Sequence, residues 1–533
     1  MTGMTRGREI LADFAAPFLV AFLAFVAAQI WLGAFDAEII GDSASHYVSG
    51  IFVADLLRHG LSHPIERLRD FAAHYPLVGI GHWPPLYYGI EAVWSILVPF
   101  DQRMLLLSAA TAALVPAWIY VLVQPRLGVV AAVFGASAFV LSPLVLSAVT
   151  SVMLDIAVAF GCLAATGFFA QFLRTGRALP AILFAATAAL TLMTKGNAGS
   201  LVLMPPIAIA ATRRFDRLRS PWLWLSVPIV LVLAGPWYLY THKMVEVGYR
   251  GSVGSSYAIQ ALATDLRALL LAAGVGIALA FLGGAWLALH KPRALDPLWG
   301  SLFALAISVL IFQSIVPAGL EPRYMIPALP PIIALAALLI CRIQQDWMRK
   351  AGYILLLLLL LPGFPAIPRQ VNLGVGDAVK EALRFIPSNN RALLIVADTI
   401  GENAAISELV RMRDPSSDVF AVRGVRLLGG GGYNNQDYVP RYTSLDEVAA
   451  VLRTYRIPLL LLRDPDKPGE WAHIKQMAQL VARDPASFQP VWAGKGATLY
   501  RLTDNAGLPG DAKILTDLSA PHALGGGETA GKQ

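Results

Sequence analysis

Long uncharged apolar runs recur along the first two-thirds of the chain, separated by short polar breaks. The first covers residues 14–35, behind Arg6 and Arg8. It exceeds the apolar stretch of a cleavable leader, roughly 7–15 residues, and predicts an uncleaved span with a cytoplasmic N-terminus. Further runs cover 104–123, 127–147, 156–173, 178–194, 196–212, 220–240, 268–289, 297–317, 324–341 and 351–365. Each approaches the roughly 20 residues that a helix needs to cross a bilayer. The pattern predicts about eleven spans. A further apolar stretch, 84–99, is shorter and holds Glu91, which predicts a re-entrant or interfacial helix. After about residue 368 the pattern changes to short apolar runs at 392–396, 419–422, 459–462 and 497–502. Amphipathic stretches at 378–385, 404–412, 445–455 and 471–482 alternate with them. Strands alternating with helices predict a small soluble α/β domain over 369–504. Residues 429–432 read as a flexible loop, and 505–533 as a disordered tail.

Composition excludes several classes. Of 533 residues, 56% are hydrophobic and 14% charged, against roughly 25% charged in soluble domains. With a mean hydropathy of +0.59, neither a soluble enzyme nor a disordered chain fits. The 45 glycines and 35 prolines follow no collagen period. The net charge of +7 comes largely from breaks between runs: Arg126, Arg174/Arg177, Arg213/Arg214/Arg217/Arg219, Lys291/Arg293 and Arg342/Arg349/Lys350. Eleven spans put all of these on the cytoplasmic side, as the positive-inside rule requires. The outer side then receives 36–83, Asp155, the Lys195 turn, 242–267, 319–323 and the C-terminal domain. A multi-pass protein of a bacterial inner membrane is expected. No basic stripe with interleaved aromatics suggests nucleic acid. Cys162 and Cys341 lie in apolar runs without metal-type spacing.

Carboxylates beside a membrane are costly to desolvate, so Asp42 in IIGDSASHY and Asp155 in SVMLDIAVAF are candidates for chemistry. One can take a proton from a nucleophile while the other orients the site; alternatively, each caps a helix. Five of nine histidines, His46, His59, His63, His74 and His82, lie in the first outer loop. His59 and His63 have i,i+4 spacing, but Gly60 and Pro64 oppose a stable helix and no HExxH glutamate is present, so no metal site is expected. His82 abuts Trp83 and a Pro-Pro-Leu-Tyr-Tyr segment. Lys195 in TLMTKGNAG either snorkels to headgroups or holds a phosphate. Arg323 in GLEPRYMIP either binds an anion or pairs with Glu321.

The order of these motifs resembles the GT-C class of membrane glycosyltransferases, in the branch of protein O-mannosyltransferases and the lipid A aminoarabinose transferase. The features are the acidic motif at Asp42 with His46 and Tyr47, the Pro segment from His82 through Tyr87, Asp155 after Ser142-Pro143, Thr194-Lys195-Gly196, and Arg323-Tyr324 with Pro327 and Pro330. The resemblance covers about residues 10–365. It implies a GT-C-like helical domain over 1–368, with a large outer loop at 36–83. It also implies an inverting transfer from a polyprenyl-phosphate sugar to a protein, lipid A or glycan acceptor at the outer face. Asp42 would be the base, and Asp155 would orient the acceptor or a neighbouring cation. His82, Lys195 and Arg323 would bind phosphate, with His46, Tyr47, Tyr87 and Tyr324 lining the donor. Ser43 stands where the family's motif is often Asp-Glu, and Trp83 where some relatives carry a basic residue. The acidic motif at Asp42 retains no DxD, so no cofactor is expected. A transporter or flippase, and a non-catalytic relative, remain the alternatives.

Overall fold

The computed structural model describes residues 2–247, 254–290, 295–414, 418–430, 438–464, 471–505 and 507–511. The basic break at Lys291/Arg293, Gly431–Gly432 and the tail beyond 511 lie outside these residues. The helices of the N-terminal part are α1 (Thr2–Trp31), α2 (Gly41–Arg58), α3 (Pro64–His74), α4 (Leu86–Trp94), α5 (Leu105–Leu127), α6 (Val129–Val140), α7 (Pro143–Val149), α8 (Asp155–Thr175), α9 (Ala178–Leu192), α10 (Met204–Thr212), α11 (Pro221–Val247), α12 (Ser255–His290), α13 (Pro297–Ile315), α14 (Leu329–Ile340) and α15 (Asp346–Leu358). Among the described residues, eight helical segments are long and apolar enough to cross a membrane. A ninth arises if α6 and α7, bent by 58°, form one span. The protein is a multi-pass membrane protein.

The eleven sequence runs divide into those eight, the bent pair and two shorter apolar helices, α9 and Gly196–Thr212. Fifteen residues of α9 rise only about 22 Å, less than the roughly 30 Å of hydrocarbon. The break between these two carries Thr194-Lys195, which turns the chain at one end of the bundle. The stretch 84–99 does not cross, for α4 has only nine residues.

Close packing within the bundle rests on small residues. At Gly284 in α12 an added Cβ would stand 1.9 Å from the Leu335 carbonyl oxygen of α14, so only glycine lets these helices meet. At the end of the bundle opposite Asp155, Asp296 precedes α13. Its carboxylate pairs with Arg126 from α5 at 3.2 Å and Arg174 from α8 at 3.6 Å.

The C-terminal part adds α16 (Val375–Phe385), β1 (Ala392–Val396), α17 (Thr399–Met412), β2 (Phe420–Arg423), a single turn α18 (Gly424–Leu427), β3 (Gly429–Gly430), β4 (Val439–Pro440), α19 (Leu445–Thr454), β5 (Leu459–Arg463), α20 (Ala472–Arg483), β6 (Phe488–Gly494) and β7 (Ala497–Leu502). The main sheet has the order β2-β1-β5-β7-β6. β1 pairs in parallel with β2 and β5, while β7 pairs antiparallel with β5 and β6. Every residue of β1 is buried, as expected for a parallel strand covered on both faces. Gly429–Gly430 forms a short antiparallel pair with Val439–Pro440 rather than an unpaired loop. Asn505 is 3% exposed and donates to the Leu452 and Ile457 carbonyls, so the ordered domain runs past the expected start of the tail.

This domain is fastened to the first loop. Glu38 accepts the N–H groups of Leu373 and Val375 at 2.7 and 2.9 Å, at the start of α16. Ser407 of α17 donates to the Ile39 carbonyl at 3.1 Å. Tyr75 donates to Asp418 at 3.0 Å, and Arg413 pairs with Asp55. One apolar core joins Tyr47, Phe52 and Phe71 of the loop to Val375, Leu393, Ala404 and Leu409 of the domain.

Candidate active site

Four charged residues, distant in sequence, meet where helices begin. Asp42 lies in the first turn of α2, and Asp155 opens α8. Lys195 precedes the 3-10 turn Gly196–Val202, and Arg323 lies in the 3-10 turn Pro322–Ala328. The N-cap positions are Ile40 and Leu154, so each aspartate lies inside the first turn of its helix rather than at the cap itself.

Lys195 Nζ donates to both Asp155 oxygens at 2.9 Å. Asn197 Nδ2 adds a 3.3 Å bond to Asp155 Oδ1. Arg323 Nη2 donates to Asp42 Oδ2 at 2.6 Å, and its Nε lies 3.7 Å from Asp155 Oδ2. Glu321 is a third carboxylate near Arg323, 3.8 Å away. Tyr324 offers its ring to both cations, with Lys195 Nζ 4.9 Å and Arg323 Cζ 5.6 Å from the centroid. Burial separates the two aspartates. The Asp155 side chain is 0% exposed and Lys195 8%, whereas Asp42 keeps 41%. Asp155 therefore anchors cations, while Asp42 remains open to a partner from solvent.

His46 follows Asp42 by one turn on the same face of α2. It is fully buried, with Nδ1 3.0 Å from the Tyr88 hydroxyl. Burial lowers its pKa well below the usual value, and Lys195, Arg323 and His82 add to the effect, so the imidazole is neutral near pH 7. His82 Nδ1 donates to the Met244 carbonyl at 3.3 Å, and burial lowers its pKa too. Both rings flank Trp83, with centroids 4.5 Å from it for His46 and 4.7 Å for His82.

Two expected donor-lining residues stand elsewhere. Tyr47 and Tyr87 are each 1% exposed and pack in the apolar core shared by the loop and the C-terminal domain. Their aromatic rings fill that core, which sequence spacing could not distinguish from a site wall. Asn197 escaped sequence reading because an asparagine in a turn carries no spacing signal. Among the described residues, no three His, Cys, Asp or Glu side chains form a metal-ligand group.

No family model and no curated protein matches the chain. Solved structures do. ArnT from Cupriavidus metallidurans, bound to undecaprenyl phosphate, aligns over 93% of this chain and 100% of its own, at 15% identity and a TM-score of 0.58. The same protein in the apo state gives 0.57, at 14% identity over 91% and 98%. The archaeal oligosaccharyltransferase AglB from Archaeoglobus fulgidus, in complex with an inhibitory peptide and a dolichol-phosphate, aligns over 84% of this chain and 69% of its own, at 13% identity and 0.53. The likeness spans the helical bundle and most of the C-terminal part together, and the chain has the GT-C fold of these membrane transferases.

Proposed function

We propose that this protein is an integral-membrane glycosyltransferase that moves a sugar from a polyprenyl-phosphate donor to an acceptor at the outer membrane face, with inversion. The observation that carries this is the junction of a half-exposed carboxylate, Asp42, with two cations at one end of an apolar helical bundle. A polyprenyl phosphate has the complementary form: an apolar tail for the helices and an anionic head for Lys195 and Arg323. ArnT bound to undecaprenyl phosphate and AglB with dolichol-phosphate share the fold and support this donor class.

In the proposed step, Asp42 takes the proton from an acceptor hydroxyl or amine. The acceptor atom bonds to the anomeric carbon, and the bond from that carbon to the phosphate oxygen breaks. Its electron pair leaves with the polyprenyl phosphate, whose charge Lys195 and Arg323 stabilise. Asp155, fully buried and bound to Lys195, serves as the positioning residue for both cations rather than for the acceptor. Arg323 donates to Asp42, and in the proposed step the arginine turns to the leaving phosphate, which frees the carboxylate for proton transfer. The acceptor is a protein, lipid A or glycan.

The rival reading, a transporter, would place ionisable groups near the middle of the membrane. Here they gather at span ends. The experiment is incubation of the purified protein in lipid with a panel of polyprenyl-phosphate sugars and a membrane-extract acceptor, followed by mass spectrometry. Release of polyprenyl phosphate from one donor supports the transferase. Movement of lipid between leaflets without release from any donor supports the transporter.

A further inference from the structure

The turn before the Pro segment is built around Trp83. Its N–H donates to the Gly79 carbonyl at 2.9 Å, and Gly81 donates back to the Trp83 carbonyl at 3.3 Å. At Gly79 an added Cβ would lie 2.4 Å from the indole Cε3, so the ring lies directly on backbone. Ser49 of α2 holds the turn by accepting the Gly79 N–H at 2.9 Å. From the other side, Leu86 N–H donates to the Met193 carbonyl at 3.1 Å, two residues before Lys195. The turn is thus tied both to the helix that carries Asp42 and to the turn that carries Lys195.

The indole meets two rings, His46 tilted against it at 4.5 Å and His82 edge-on at 4.7 Å. These are the same two imidazoles that lie within electrostatic reach of the cluster, His46 of Lys195 and Arg323, and His82 of Asp42 and Lys195. Trp83 itself is only partly buried, although its neighbours Tyr87 and Tyr88 are fully buried. A rigid, part-exposed indole beside a charged cluster offers an apolar face at little entropic cost. Sugars have such a face in their axial C–H groups.

We infer that Trp83 is a donor-specificity residue, stacking on the sugar of the lipid-linked donor while His46 and His82 fix the angle of its ring. This rests on the glycosyltransferase reading and adds to it the part of the donor that Trp83 recognises. The indole contacts the sugar and not the phosphate, so its loss weakens sugar-bearing lipids selectively.

The test measures dissociation constants by native mass spectrometry in lipid nanodiscs. The probes are undecaprenyl phosphate and undecaprenyl-phosphate-linked mannose, glucose and arabinose. The wild-type protein is expected to bind one sugar-lipid more tightly than the bare lipid. Trp83→Leu should lose about 10-fold for that sugar-lipid, the scale of an aromatic stacking contact, with bare lipid within about 2-fold of wild type. Trp83→Phe should keep most of the preference. Equal losses for both ligands, no loss for either, or a wild-type protein without preference among the probes would each overturn the inference. Failure of the wild-type protein to bind even bare undecaprenyl phosphate would instead remove the donor reading beneath it. A melting curve of each variant separates these results from unfolding.

Discussion

Two buried charges show how differently single residues hold this site. Asp155 and Lys195 are almost fully withdrawn from solvent, and each satisfies the other. Breaking one side of such a pair leaves a stranded charge, which costs about 3–5 kcal/mol. Asp155→Leu is therefore expected to lower the melting temperature strongly, and the double variant with Lys195→Met should recover most of the loss. Additive losses would show that the two do not act as a pair. Glu91 is the opposite case. It is 0% exposed in α4, facing Gly50 of α2, and neither carboxyl oxygen has a hydrogen-bond partner. Burial raises its pKa well above the ordinary 4.5. With a raised folded-state value, stability is complete below about pH 4.5 and falls as pH rises towards the folded value. Glu91→Met should therefore be more stable than wild type by about 1–3 kcal/mol at pH 8, with the margin shrinking towards pH 5. Thermal melts at the two pH values check this, and a margin independent of pH would contradict it. The acidic residues, Lys195 and Arg323 were legible in the sequence because charges are rare between apolar runs. Their pairing was not legible, because contacts such as Asp42 to Arg323 span 281 positions.

At the scale of elements, legibility followed burial. Strand β1 is predicted at its true bounds because five consecutive aliphatic residues, buried on both faces, leave a plain signal. Strand β6 is absent from the sequence reading. It is an edge strand with mixed exposure, and its register shifts between Pro490 and Trp492. Apolar runs located the spans but overstated their length around Lys195. There the helix stops after Leu192 so that the lysine can meet Asp155. Helix contacts depend on glycines whose role hydropathy hides. Gly284→Ala is expected to cost about 1–3 kcal/mol through its clash with the Leu335 carbonyl. Gly235→Ala, with nothing within 4 Å, should be near neutral. Equal melting temperatures for the two variants would contradict the close approach of α12 and α14.

Over the whole molecule, the C-terminal domain completes the first loop rather than hanging from the bundle. The two share one apolar core, and α2, which carries Asp42, packs against α17. Removing 371–533 would strip this core, so a truncated protein would lose the order of α2 along with the domain. A gentler probe is Glu38→Ala, which deletes the acceptor of N–H groups from Leu373 and Val375. Faster hydrogen exchange at the start of α16 and in α2 is expected, and unchanged exchange in α2 would separate the domain from the site. In the proposed transfer Asp42 is the proton acceptor. The most direct measurement is polyprenyl phosphate release by wild type and Asp42→Asn, side by side, with donor affinity measured on both. A fall in turnover of about 10²–10⁴, with the folded protein still binding donor, is predicted. Near-normal turnover in Asp42→Asn would contradict it.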